Sequence, residues 1–284
     1  FYVIVNTDKT ISIGFSPCPN DTFIFDALIH GKIDTQGFKF LPILEDVENL
    51  NQKAFRNELD VTKLSFHAYA QVMNNYQLLT SGSALGNGVG PMFIARKKSI
   101  NPELEFNSVA IPGKNTTANF LFSIFYPNIK LKKEMIFSAI EDAVLSGETD
   151  AGVIIHENRF TYQQKGLTKI ADLGDLWEKA TGQPIPLGGI AIRRNMSDET
   201  KSLINKLVRK SIEFAFANPH ESDSYVQQHA QEMDPDVRQN HINLYVNDYS
   251  IELGEKGKNA IRFLFQKGRE AGMLPEGSPD LFVK

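Results

Sequence analysis

The first regular hydrophobic pattern in the chain predicts a strand followed by a helix. Apolar residues alternate with small or polar ones over residues 11–15, as in a strand with two different faces. Two prolines follow, and because each fixes φ and lacks a backbone donor, the strand is expected to end there. Residues 22–30 are mostly apolar, which predicts a buried helix capped by Asn20 or Asp21. A strand that leads through a short loop to a helix N-terminus is typical of a binding loop.

The alternation of strands and helices continues beyond this first unit. Extended apolar runs predict strands at residues 39–44, 59–65 and 76–80, with helical spacing after the first two. Such an alternation predicts a mostly parallel sheet. Four glycines then fall within residues 82–90, where they permit a sharp bend or a close backbone approach. We therefore expect the chain to cross to a second lobe there, just before a strand at residues 92–96.

A second α/β unit repeats the design of the first. Residues 108–118 read as a strand, a glycine turn and a helix cap. Residues 134–145 have the spacing of an amphipathic helix, and residues 150–157 predict a strand that carries His156 at its carboxyl end. The apolar residues 187–193 predict the return crossing.

The last third of the chain is predicted to be helical. A long helix is expected at residues 199–217 with Asp198 as its cap, and three more at residues 225–232, 235–247 and 254–271. We expect these helices to pack on the first lobe.

Taken together, the pattern predicts an α/β protein with two lobes and a central cleft. Lobe 1 comprises residues 1–96 and 191–284, and lobe 2 is inserted as residues 97–190. In open α/β sheets, ligands bind beyond the carboxyl ends of the strands, so these strand ends should converge on the cleft from both lobes.

Composition narrows the class of partner. The 284 residues carry a net charge of -4, and the basic residues are scattered, which argues against a nucleic-acid partner. The chain has no apolar run long enough to span a membrane, and residues 1–5 are apolar but lack the basic start and the length of a signal peptide. We therefore expect a cytoplasmic protein with a small-molecule ligand. The oligomeric state is left open.

His156 is the first candidate for chemistry. It follows an apolar strand, so its imidazole should emerge at the cleft, where a neutral ring can accept a proton from a substrate. The alternative is a histidine that caps the next helix or bonds within the core. Glu157 could orient His156, but adjacent side chains on a strand point apart, so a surface or helix-start position is favoured.

Cys18, the single cysteine, excludes an internal disulfide. It lies just before a helix N-terminus, where the dipole lowers the pKa of a thiol. No histidine is close in sequence, so a small buried residue in a tight loop is favoured over a nucleophile.

Several polar residues at strand ends suit the binding of a carboxylate. Hydroxyls and helix N-termini bind such anions, and N-capping is the alternative role. A further residue, Lys63, could supply charge in the site, and the alternatives are a solvated side chain or a partner for a nearby acid. The polar candidates are Ser16, Asn20, Asp21, Ser65, Thr116 and Thr117.

Metal and dinucleotide sites are not predicted. His67 is a weak ligand candidate, and the other histidines outside position 156 have no carboxylate or histidine partner at metal-ligand spacing. The glycines of residues 82–90 do not form the GxGxxG motif between a strand and a helix that is typical of dinucleotide-binding sites.

Five segments together resemble the 1,4-dihydroxy-6-naphthoate synthases of the futalosine route to menaquinone. The segments are Ser16-Pro-Cys-Pro-Asn-Asp-Thr-Phe23, Asp60-Val-Thr-Lys-Leu-Ser65, residues 81–91, Gly113-Lys-Asn-Thr-Thr-Ala118 and Asp150-Ala-Gly-Val-Ile-Ile-His-Glu157. The resemblance implies the two-lobed periplasmic-binding-protein-like (type II) fold and conversion of cyclic dehypoxanthinyl futalosine to 1,4-dihydroxy-6-naphthoate. It implies no organic cofactor.

The resemblance also assigns roles to residues. The catalytic histidine of the family maps onto His156, and its substrate-contacting segments map onto Lys63, Leu64 and Ser65 and onto the pair formed by Thr116 and Thr117. Two alternatives stay open. One is a chorismate dehydratase of the same pathway, and the other is a solute-binding protein that only captures a small carboxylate.

Overall fold

The computed structural model describes residues 9–231, 234–277 and 279–284. The apolar residues 1–5 and the last residue of the helix predicted at 225–232 lie outside these ranges. The described backbone forms two β-sheets surrounded by helices. Its strands are β1 (Thr10–Phe15), β2 (Lys39–Leu44), β3 (Val61–Ser65), β4 (Tyr76–Leu78), β5 (Ala84–Gly86), β6 (Met92–Ala95), β7 (Ser108–Ile111), β8 (Leu131–Glu134), β9 (Ala151–Ile154), β10 (Thr168–Asp172) and β11 (Ile185–Arg193).

Helices connect the strands and form the C-terminal part of the chain. They are α1 (Pro19–Ile29), α2 (Val47–Phe55), α3 (Phe66–Val72), α4 (Pro102–Glu105), α5 (Thr117–Phe125), α6 (Ile140–Ser146), α7 (Asn158–Thr161), α8 (Leu173–Thr181), α9 (Asp198–Ala217), α10 (Asp223–His229), α11 (Pro235–Tyr245), α12 (Asp248–Ile251) and α13 (Gly254–Glu270). Among the described residues, no helix combines the length and the apolar character that a membrane crossing requires.

Both sheets are mixed, so the prediction of mostly parallel sheets is wrong. Sheet 1 has the order β2-β1-β3-β11-β4 with β5 paired to β11, and sheet 2 has the order β10-β6-β9-β7-β8. β1 is parallel to β2 and β3, and β7 is parallel to β8 and β9. In contrast, β11 and β6 are antiparallel to their neighbours. These two strands enter their sheets from the other sheet, so no crossover helix imposes a parallel direction on them.

The chain changes sheet close to the crossing expected at the glycines of residues 82–90. β5 pairs in sheet 1 and β6 in sheet 2, so the first change falls between residues 86 and 92. β11 belongs to sheet 1, so the return precedes residue 185, just before the apolar residues 187–193. A Cβ on Gly90 would lie 2.2 Å from the backbone nitrogen of Gly174, so glycine is required where the crossing passes α8. A division into two lobes, with one sheet in each, remains a proposal.

Two local predictions are corrected by the structure, and one further helix was not predicted. The helix predicted at residues 134–145 is shorter, because Glu134 ends the edge strand β8 (Leu-Lys-Lys-Glu) and α6 begins only at Ile140. Pairing with β7 determines this strand, since its own residues have little strand propensity. The N-cap of α9 is Ser197 and not Asp198. Helix α8 was not predicted, although Asp172 caps it by accepting hydrogen bonds from Gly174 N and Asp175 N.

The C-terminal helices pack on both sheets and not only on the first lobe. α9 lies along α1, and Ser211 Oγ donates a 2.6 Å hydrogen bond to Ile24 O. In α13, the ring of Phe265 contacts Phe66 and Tyr69 from the first sheet's helix, while Phe263 contacts Trp177 of α8. The largest apolar cluster accordingly contains residues of both sheets. The two sheets therefore share one apolar core.

Candidate active site

A cleft between the two sheets collects residues from the carboxyl ends of four strands. These strands are β1, β3, β7 and β9. Six of the predicted site residues line the cleft, namely Asn20, Lys63, Ser65, Thr116, Thr117 and His156. The structure therefore brings together side chains that are up to 136 positions apart in the printed sequence. This is the edge at which open α/β sheets bind ligands.

The remaining predicted residues, Ser16, Asp21 and Leu64, do not line the cleft. Leu64 is completely buried in the apolar core. Asp21 is not the cap of α1, because the helix begins at Pro19 and Cys18 occupies the N-cap position without a side-chain bond. Instead, Asp21 Oδ2 accepts hydrogen bonds from Ser16 N at 3.0 Å and Ser16 Oγ at 2.7 Å. The two hydrogen bonds between Ser16 and Asp21 therefore stabilise the loop that joins β1 to α1.

Lys63 forms a buried ion pair with Asp21. The ammonium group contacts Asp21 Oδ1, and the two side chains are 9% and 0% exposed. Asn20 Nδ2 donates a 2.8 Å hydrogen bond to the same carboxylate oxygen. Of the alternatives that the sequence left open, the structure excludes a solvated lysine and shows a partner for a nearby acid. A paired ammonium group thus lies at the wall of the cleft, where it can attract an anionic substrate.

Three hydroxyl groups lie at the N-termini of α3 and α5. Thr116 caps α5, since its Oγ1 accepts from Asn119 N at 3.2 Å. Thr117 Oγ1 donates to Leu187 O at 2.6 Å. Ser65 occupies the N-cap position of α3 but makes no capping bond with its side chain. The Ser65 hydroxyl accepts a long 3.4 Å hydrogen bond from Asn51 Nδ2, so its proton remains available for a ligand.

His156 lies two residues beyond β9 and is partly exposed to the cleft. Its backbone is left-handed, with φ of 58°, which turns the chain out of the strand direction. The ring packs against Phe137 at a centroid distance of 4.8 Å. Burial, and secondly the charge of Lys63, lower the pKa of His156 to about 4. The imidazole is therefore neutral near pH 7 and able to accept a proton.

Two residues, Glu157 and His241, lie beside His156. Glu157 is only 4% exposed, which excludes the surface alternative, and it occupies the N-cap position of α7, in agreement with the helix-start alternative. His241 has no histidine or carboxylate at metal-ligand spacing in the sequence, but its ring lies nearly parallel to that of His156 with centroids 6.1 Å apart. Its Nδ1 lies 3.9 Å from Glu157 Oε2. No local spacing indicates this contact, because α11 is 85 positions further along the chain.

Cys18 is buried behind the site. Burial, followed by the negative charge of Glu157, raises the pKa of its thiol well above the usual range, opposite to the expected effect of the helix dipole. A thiol that keeps its proton is a poor nucleophile and a poor metal ligand. The structure does bring potential ligand atoms of Cys18, His156 and Glu157 within 4.8 Å of one another, a grouping that the sequence did not predict.

The sequence of the chain is similar to those of known biosynthetic proteins. A family model described as menaquinone biosynthesis matches residues 11–270. A Thermus thermophilus protein named 1,4-dihydroxy-6-naphtoate synthase is 43% identical over 97% of this chain and 100% of its own length. A Streptomyces coelicolor protein with the same name is 42% identical over 95% of this chain and 97% of its own.

Solved structures give the same result for the fold. A protein from Archaeoglobus fulgidus superposes with a TM-score of 0.89 at 35% identity, covering 95% of this chain and all of that one. The alkanesulfonate-binding protein of Xanthomonas axonopodis superposes with a TM-score of 0.69 at 11% identity, covering 97% and 96%. The latter shows a periplasmic-binding-protein-like fold and confirms the predicted fold class. By sequence, the chain belongs to the 1,4-dihydroxy-6-naphthoate synthase family of menaquinone biosynthesis.

Proposed function

We propose that this enzyme is a carbon–carbon lyase that converts cyclic dehypoxanthinyl futalosine to 1,4-dihydroxy-6-naphthoate, with His156 as the general base. The observation that supports this proposal most strongly is the position of His156 just beyond the carboxyl end of β9, in a cleft that is also lined by the hydroxyl-bearing residues Ser65, Thr116 and Thr117. A neutral ring whose nitrogen faces a bound substrate is the requirement for accepting a proton at neutral pH.

In the proposed reaction, His156 removes the proton of the hydroxyl group on the ring carbon that carries the sugar-derived fragment. That C–O bond becomes a ring carbonyl while the C–C bond to the fragment breaks, and its electron pair leaves with the fragment, which takes the proton back from the imidazolium. The resulting ring diketone enolises to the aromatic diol. Aromatisation drives the step, so orientation and one base suffice, with no oxidant or organic cofactor.

The substrate carboxylate is proposed to lie near the N-termini of α3 and α5. Backbone N–H groups at these ends and the hydroxyl of Ser65 offer hydrogen bonds to an anion. Thr116 and Thr117 shape this end of the cleft while they bond to their own backbone partners. The ammonium group of Lys63 adds a favourable charge, although Asp21 offsets part of it.

Incubation of the purified protein with each of two candidate substrates tests the proposal. We expect cyclic dehypoxanthinyl futalosine to be consumed and the naphthoate to appear with time, as measured by chromatography with fluorescence detection. Chorismate should remain unchanged. Conversion of chorismate would instead assign a dehydratase. Tight binding of a carboxylate that is recovered unchanged in both cases would assign a binding protein.

A further inference from the structure

One buried histidine beside the cleft has no role in the proposed reaction. His241 lies in α11 and is completely buried. Its ring lies nearly parallel to that of His156, at an interplanar angle of 19°. A buried polar ring is unfavourable unless its nitrogens have partners, so its place next to the proposed base requires an explanation.

The hydrogen bonds of Asn20 determine which nitrogen of His241 carries hydrogen. Asn20 Nδ2 donates to Asp21 Oδ1 at 2.8 Å, so the amide oxygen is the atom that faces His241. That oxygen lies 2.8 Å from His241 Nε2. An amide oxygen only accepts, so Nε2 must be the donor. The neutral imidazole is therefore the Nε2–H tautomer.

We propose that His241 is a positioning residue for the reaction, acting through two neighbours. Its Nε2–H holds the amide of Asn20, whose side chain lines the cleft, so that the amide NH₂ faces Asp21 and the substrate. Its ring supports one face of His156, and the ring of Phe137 contacts His156 as well. This inference rests on the proposed function, because it assigns how the substrate and the base are held.

The surroundings of His241 keep it neutral. The charged and titratable groups that face it are Glu157, His156 and Lys63, together with Tyr245 on its own helix. Burial, followed by the electrostatic influence of the neighbouring His156 and of Lys63, lowers the pKa of His241 well below the usual value. Because His241 stays neutral, it does not compete with His156 for the substrate proton, and its hydrogen bond to Asn20 persists throughout turnover.

Two substitutions distinguish the effect of the His241–Asn20 hydrogen bond from the effect of the ring contact with His156. His241→Phe keeps a flat ring against His156 but removes the donor to Asn20. His241→Gln keeps an amide donor at the Nε2 position but removes the ring. His220→Phe is the matched control. The side chain of His220 is 92% exposed, lies in the helical turn just before α10 and does not line the cleft.

Steady-state kinetics of the three variants on cyclic dehypoxanthinyl futalosine test the proposal. We expect His241→Phe to raise KM about tenfold with kcat within about twofold of wild type, since substrate positioning by Asn20 is lost. We expect His241→Gln to lower kcat about tenfold with KM nearly unchanged, since His156 loses its support. The proposal is overturned if both variants change the same parameter, or if neither differs from His220→Phe.

A second measurement needs no substrate. In protein labelled with ¹⁵N-histidine, the His241 signals, assigned by their loss in His241→Phe, should report a neutral Nε2–H tautomer at neutral pH and still at about pH 6.5, the ordinary histidine pKa. An Nδ1–H tautomer, or titration near the ordinary histidine pKa, would overturn the inference. A wild-type enzyme that forms no naphthoate would refute the proposed function while leaving this spectrum decisive for His241.

Discussion

The ammonium group of Lys63 and the carboxylate of Asp21 form an ion pair that is shielded from solvent, and this pair joins β3 to α1 beside the cleft. Asp21→Asn would leave the lysine as a buried charge without its counter-ion. We expect this substitution to lower the free energy of unfolding by about 3 to 5 kcal/mol, as measured by urea denaturation.

The matched control for this pair is Glu148→Gln. It breaks the exposed contact between Lys133 and Glu148, whose side chains are 45% and 54% exposed. Exposed pairs are screened by water, so a much smaller change is expected. Equal effects of the two substitutions would show that the buried pair contributes no more than an exposed one.

The buried histidines should make stability depend on pH. Burial lowers the pKa of both His67 and His156 to about 4, below the value of about 6.5 in an unfolded chain. Between these values the unfolded chain binds more protons, so the free energy of unfolding is greatest above pH 6.5 and falls as the pH falls towards 4. Urea denaturation at pH 7 and pH 5 measures this loss.

Substitution of one histidine should reduce that pH dependence. His67→Phe keeps an aromatic ring next to Phe120, whose centroid lies 5.3 Å away, and removes one titrating group. We expect a smaller loss of stability between pH 7 and pH 5 than in wild type, whereas His220→Phe on the surface should preserve the wild-type loss. A wild-type pH dependence in His67→Phe would contradict the assignment of His67 as a buried neutral ring.

The glycine at the crossing between the sheets should not tolerate a side chain. In Gly90→Ala the new Cβ would meet the backbone of Gly174 at 2.2 to 2.3 Å, and a backbone cannot move aside cheaply. We expect a large loss of thermal stability or failure to fold. Gly272→Ala is the control, since it has a φ of 65° but open space, and should cost only about 1 kcal/mol. Similar melting temperatures for the two variants would contradict the close approach.

The cap of α5 offers a further test of the cleft wall. Thr116→Ala removes the oxygen that accepts from Asn119 N, so we expect a loss of about 1 kcal/mol of stability. Thr116→Ser keeps the hydroxyl and should remain close to wild type. Thermal unfolding of both variants measures the difference, and equal melting temperatures would show that the hydroxyl does not stabilise the helix.

The sequence predicted those parts of the structure that depend on local pattern. The β1 strand, its proline loop and α1 are visible in alternation, proline positions and an apolar run, and the same pattern placed His156 at a strand end. Edge strand β8 was missed because three of its four residues are charged and only pairing with β7 makes them extended.

The contacts that complete the site could not be predicted in this way. Asp21 meets Lys63 from 42 positions away, and His241 meets Asn20 from 221 positions away. Neither pair has a spacing that any local periodicity would indicate. The upward shift in the pKa of Cys18 could not be predicted from the sequence either. It results from burial by surrounding residues, which outweighs the effect of the helix dipole, and the sequence does not show which residues surround the thiol.

The most direct test of the account is the rate of naphthoate formation by His156→Asn. Asparagine tolerates the left-handed backbone at this position, so the substitution should remove the base without adding strain. We predict that kcat falls by at least about 100-fold. Product binding, measured by calorimetry, should stay within about threefold of wild type. Turnover by His156→Asn at the wild-type rate would contradict the assignment of His156 as the general base.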